Sequence, residues 1–120
     1  MAFADPMVVS IGGASKNLVR IDTGKYASEY KLVEPTQEFT MLIRNTDLKK
    51  EVDGRYKIRH NISLRQRIFA TSTTAEVIRQ ASSTIEHYAG DDVTAYDDVA
   101  LALAAVITVP NVAKLNNFES

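Results

Sequence analysis

The sequence predicts an α+β fold, an antiparallel sheet followed by helices on one of its faces. Two observations predict it. Apolar and polar residues alternate at strand period up to Thr71, and apolar residues recur at helical period after it. The charge changes sign at the same point, because residues 1–70 hold 12 basic and 8 acidic side chains while residues 71–120 hold 2 and 7. One boundary at Thr71 accounts for both changes. The 120 residues, 45% of them apolar, suit one domain, 1–120, with a modest core. Within it, 1–70 reads as a hairpin and sheet, and 71–120 as two helices and a C-terminal tail.

Met7 to Ile11 and Asn17 to Ile21 read as strands joined through Gly12-Gly13-Ala14-Ser15, where glycines supply the positive φ of a tight hairpin. A phosphate loop is the competing reading of these glycines. It fails because the glycine-lysine fingerprint is missing and no helix follows. Tyr26 to Val33 is a third strand, ending at Glu34-Pro35, where proline suits a strand exit. In Glu38 to Asn45, Phe39, Met41 and Ile43 face one way, and Glu38, Thr40, Leu42 and Arg44 the other. Asp47 to Gly54 is charged, closes with Asp-Gly and reads as a mobile surface loop.

The stretch from Arg55 to Phe69 alternates with hardly a break. Tyr56, Ile58, His60, Ile62, Leu64, Gln66 and Ile68 share one face; Arg55, Lys57, Arg59, Asn61, Ser63, Arg65 and Arg67 share the other. Its cations therefore line one side of one strand. After Thr71 the reading changes to a helix, with Thr73 and Glu76 as a capping box, Ile78, Ala81, Ile85 and Tyr88 as the apolar stripe, and Gly90 as the stop. A second helix runs from Thr94 to about Ile107, with Asp97 and Asp98 in its first turn and Pro110 interrupting beyond it. Its middle, VALALAAVI, is apolar on nearly every side and calls for burial by more than its own sheet.

Catalysis finds little support. His60 and His87 lack a neighbouring nucleophile or metal-ligand spacing and read as structural or surface histidines, and no serine stands in a nucleophile elbow. The absence of cysteine excludes disulfides and cysteine-built metal sites. Asp91, Asp92, Asp97 and Asp98 crowd one turn and could hold a divalent cation, but without calcium-loop spacing they read as helix-capping, solubilising acids. No run of eighteen apolar residues offers a membrane span, and the N-terminus lacks the pattern of a signal peptide. The basic stripe is the informative feature. A solvated strand face is the ordinary reading of such a row, yet like charges at every second position repel unless counter-charge is near. An anionic polymer answers that need, with Arg and Lys on phosphates and Thr40, Asn61 and Ser63 available to bases or ribose.

The run Ile68-Phe69-Ala70-Thr71 leading to Glu76-Val77-Ile78 resembles the join of last strand and first helix in coat proteins of single-stranded RNA bacteriophages, the leviviruses. The hairpin MVVSIGGASKNLVRI and the segments Ser28-Glu29-Tyr30, Arg59-His60-Asn61 and Arg79-Gln80-Ala81 resemble the same family, in order along nearly the whole chain. The resemblance implies an obligate, intertwined homodimer whose helices cross the partner's sheet. It further implies an icosahedral shell, assembled in the bacterial host cytoplasm, with the sheet facing packaged genomic RNA, and an RNA hairpin bound as translational repressor. Asn61, Arg44 and Thr40 match RNA-facing positions of the family. Arg59 stands where many members have a base-stacking tyrosine, Leu42 replaces a small hydroxyl residue, and the chain is shorter between Asn45 and Arg55. The expected RNA-binding set is Lys31, Thr40, Arg44, Arg55, Lys57, Arg59, Asn61, Ser63, Arg65 and Arg67. A host RNA-binding regulatory module on a similar β-sheet is the alternative, and an enzyme is the third and weakest class.

Overall fold

In the computed structural model, which describes residues 3–119, six strands form one antiparallel sheet whose spatial order is the order of the sequence. The strands are β1 (Met7–Ile11), β2 (Ala14–Gly24), β3 (Ala27–Val33), β4 (Gln37–Lys50), β5 (Tyr56–Ile68) and β6 (Val77–Tyr88). Two helices follow, α1 (Val93–Val106) and α2 (Val109–Asn116). The α+β class and the sheet-then-helices order stand as predicted. The first turn is tighter than its sequence suggested: Ile11 pairs with Ala14, so only Gly12 and Gly13 turn the chain, at φ of 60° and 81°.

The segment expected as the first helix is β6. Its twelve residues pair with β5 from Lys57↔Tyr88 to Ile68↔Val77. The apolar stripe Ile78, Ala81, Ile85 and Tyr88 fits a helical period by coincidence, whereas Val77, Ile78, Thr84, Ile85 and Tyr88 are strand-favouring types. What decides is the open edge of β5, whose amides and carbonyls need partners along its whole length. The supposed capping box serves other ends. The Thr71 hydroxyl accepts from the amides of Thr73 and Thr74 in the β5–β6 turn, and Glu76 accepts from Arg67. The boundary between sheet and helices therefore falls at Gly90, not Thr71. Arg79, Glu76 and Glu86 pass to the sheet half, and the tail keeps one cation, Lys114, against five acids.

The expected loop at Asp47–Gly54 is also largely strand. Asp47 pairs with Ile58 and Lys50 with Tyr56 across a bulge, leaving a short turn in which Glu51 N–H donates to Arg55 O. A ladder is built from backbone groups, so a charged sequence can extend it once it projects past the core.

One face of the sheet holds the core. Leu18, Tyr30, Phe39, Met41 and Ile43 are buried, with Met7, Val9, Ile11, Leu32 and Leu64 packed against them. Met7, Val9 and Ile11 come from β1, with three strands between it and Leu64 on β5, so the sheet curls and lays its N-terminal hairpin over this face. A chain of side-chain hydrogen bonds crosses the same side, from Lys16 to Glu34, Gln37 to Glu34, Gln66 to Gln37 and Arg79 to Gln66. The expectation that helices cover the sheet does not hold within this chain, because the hairpin does the covering.

The helices bury none of their residues. Asp92 caps α1, its carboxylate accepting from Thr94 N–H at 3.0 Å, while Asp97 and Asp98, expected in the first turn, lie beyond it. Pro110 lies in the first turn of α2, where a missing N–H costs nothing, so it opens a helix that was read as a tail. α1 and α2 are bent by 69° from one another. Among the described residues no single helix is long and apolar enough to cross a membrane.

Candidate nucleic-acid interface

The second face of the sheet is set by strand alternation and register. Glu29 and Lys31 on β3, Glu38, Thr40, Leu42, Arg44 and Thr46 on β4, and Lys57, Arg59, Asn61, Ser63, Arg65 and Arg67 on β5 share it with Gln80, Ser82, Thr84 and Glu86 on β6. The pairings make rows across the strands: Lys31, Thr40, Arg65 and Gln80 form one, and Arg44, Asn61 and Thr84 another. Nine of the ten expected residues thus lie on elements of one surface. Arg55 precedes β5; its guanidinium lies 3.9 Å over the Tyr88 ring.

The cations on this surface are of two kinds. Arg59 Nε donates to Glu86 at 2.7 Å, Arg67 to Glu76 at 2.7 Å and to Glu38 at 3.4 Å, and Lys57 lies 3.6 Å from Glu51. Arg55 Nε donates to Asp53 at 2.7 Å. That hydrogen bond holds the Asp53 carboxyl below the usual range, and the bonds to Glu76 and then Glu38 raise Arg67 above its own. The stripe is therefore not a row of uncompensated charges. The supposed helix hid the partners: once residues 77–88 are a strand, register alone sets Glu86 opposite Arg59.

Lys31, Arg44 and Arg65 make no ion pair among the described residues. With Thr40, Leu42 and Ser63 they line a groove of about 320 Å³, bordered by Glu29, Glu38, Arg67 and Gln80. Lys31 and Arg65 stand on β3 and β5, two strand spacings or about 10 Å apart, with the Thr40 hydroxyl between them. A second hollow, beside Arg44, Thr46, Arg59 and Asn61, adjoins it. Asn61 donates its amide to Thr84 Oγ1 at 3.1 Å and to Ser83 O at 3.2 Å, which leaves its carbonyl oxygen to face outward demand. Fixed cations, hydroxyls and an amide on a rigid sheet can hold phosphates and read polar edges. Among the described residues, no three His, Cys, Asp or Glu side chains gather to hold a metal ion. Asp91 and Asp92 spend their carboxylates on the amides of Asp92 and Thr94.

A sheet covered on one side by its own hairpin, open and polar on the other, and trailed by unburied apolar helices has the form of a structural subunit. The chain matches the family model described as phage phiCb5, coat protein, over residues 4–88, and it belongs to that family. The match takes in all six strands and stops at the last residue of β6. Membership gives the chain a structural, capsid role in a virion. No curated protein matches it.

Proposed function

We propose that this chain, as one domain over 1–120, dimerises through its helices and assembles in the host into an icosahedral shell that packages single-stranded RNA. The open face of the sheet turns inward. Lys31, Arg44 and Arg65 bind phosphates without first breaking an ion pair, and Thr40, Asn61 and Ser63 add hydrogen bonds. Arg55, Lys57, Arg59 and Arg67 contribute only where RNA displaces their carboxylates. The same face would take an RNA hairpin as a translational repressor.

The observation that carries this reading is that the chain is incomplete by itself. No residue of α1 or α2 is fully buried, and the radius of gyration is 17.3 Å, against about 14 Å for a compact domain of this length. Between β6 and α1 runs an apolar groove of about 480 Å³, lined by Ile85, Tyr96, Val99, Ala100, Leu103 and Ala104 among others. A helix from a second copy fits such a groove, and the small alanines let it approach closely. Expressed alone, the protein should form megadalton particles holding nuclease-protected RNA, visible by electron microscopy. A discrete dimer that never assembles and prefers one RNA would return the question to a regulatory protein.

A further inference from the structure

His60 on β5 and His87 on β6 lie on the core side of the sheet, beyond the part covered by the hairpin. Their Nε2 atoms are 2.8 Å apart. The ring centroids are separated by 5.0 Å, close to the largest value that this gap and the two ring radii allow, so the two nitrogens point at each other nearly head-on. Both Nδ1 atoms are already engaged. His60 Nδ1 lies 2.6 Å from Asn45 Oδ1, and the Asn45 amide is oriented by donating to Tyr26 O at 3.1 Å. His87 Nδ1 lies 3.0 Å from Tyr88 O. Carbonyl oxygens only accept, so each Nδ1 carries a hydrogen.

Two neutral rings of that tautomer would face each other with bare lone pairs at hydrogen-bond distance. One extra proton between the Nε2 atoms turns the repulsion into an N–H···N bond and closes the network. We propose that His60 and His87 share one proton, forming a monocationic clamp that joins β4, β5 and β6 to α1. The link to α1 is Tyr96, whose ring stacks on His87 with centroids 4.0 Å apart and planes 7° from parallel. The site suits a proton and not a metal ion, because metal–nitrogen bonds of about 2.0–2.1 Å need lone pairs that converge on a third point.

Few charges face the pair. β4 brings neutral Asn45 and, two residues further on the same face, Asp47; β5 and β6 bring Ile58, Ile62 and Ile85; α1 brings Tyr96, with Asp97 next in the helix. Burial, and then the charge of His87, set His60 below the ordinary imidazole range. A pair so close titrates in two steps that belong to both rings.

The linkage has two limbs. At acid pH the unfolded chain binds two protons where the folded pair holds one, so stability is lost as pH falls below about 6.5, the free imidazole value. On the alkaline side the folded pair keeps a proton that the unfolded chain has released, so stability is lost again as pH rises. A neutral histidine pair would show the acid limb only.

The test is solid-state nitrogen-15 NMR of the full-length, histidine-labelled protein near neutral pH, which works whether or not it assembles. Two rings protonated at Nδ1, with one further proton correlated to both Nε2 atoms, are expected. A bare Nδ1 on either ring, or no proton between the Nε2 atoms, would overturn the clamp. Melting temperature against pH adds a second reading: it should fall on both sides in the native chain, and His87→Phe, which keeps the stack on Tyr96, should lose the alkaline fall. Identical profiles for the two chains would also overturn it. The NMR reading is independent of RNA binding and of shell formation.

Discussion

The sheet and the helical tail of this chain solve the problem of apolar surface in opposite ways. The sheet folds its own hairpin over one face, so that Leu18 and Tyr30 are fully buried and Phe39 is 1% exposed. The tail carries as apolar a sequence but leaves Leu101 at 68% and Phe118 at 97% exposure. Strong hydrophobicity therefore does not separate core from surface here. What separates them is that the sheet's covering surface belongs to the same chain, whereas no described part of this chain buries the tail.

The contrast can be broken outright by putting charge on the tail. Leu103→Asp combined with Leu115→Asp should abolish particles in light scattering while the far-ultraviolet sheet signal persists; particles of normal size would deny the tail its role in assembly. Phe39→Ala attacks the other region and should cost about 3–5 kcal/mol in urea unfolding, the usual result of emptying a large buried aromatic site.

A comparison within the polar face is finer. Arg44→Ala with Arg65→Ala removes two free cations, and the salt slope of RNA binding should flatten by about 0.7 for each lost phosphate contact with a single strand. Arg59→Ala should change that slope far less, because Glu86 already occupies its guanidinium. Equal effects would show that the ion pairs open on binding. Thr71→Ala strips an acceptor from two turn amides and should cost about 0.5–1.5 kcal/mol by thermal melting. Smallest of all, Val99→Ala should stay within about 0.5 kcal/mol in the dispersed chain, as exposed sites do, and a loss several times larger would mean that α1 packs without a partner.

The sequence made the sheet's faces legible where one strand carries the whole pattern. Phe39, Met41 and Ile43 alternate without interruption, as do Arg59, Asn61, Ser63, Arg65 and Arg67, and side-chain direction follows from that alone. β6 was illegible because its defining interaction is non-local. Its stripe suits a helix, and only the open edge of β5 chooses the strand. The error spread into the site, since Glu86 and Glu76 could not be paired with Arg59 and Arg67 until the register was known, and His87 could not be set beside His60. α2 is hidden for a local reason: Pro110 reads as a stop, although proline is equally at home in a helix's first turn.

Because spatial order repeats sequence order throughout the sheet, every strand after the first docks onto the one just completed. Such nearest-neighbour pairing needs no crossover connection, and each strand can pair outward from the turn that precedes it. On a ribosome, where chains emerge at roughly 5–20 residues per second, each hairpin can zip up as it leaves the exit tunnel. The apolar helices follow the sheet along the chain. A nascent chain bound for the proposed assembly thus exposes these helices only after its six strands have emerged, a timing that would limit misassembly between unfinished chains.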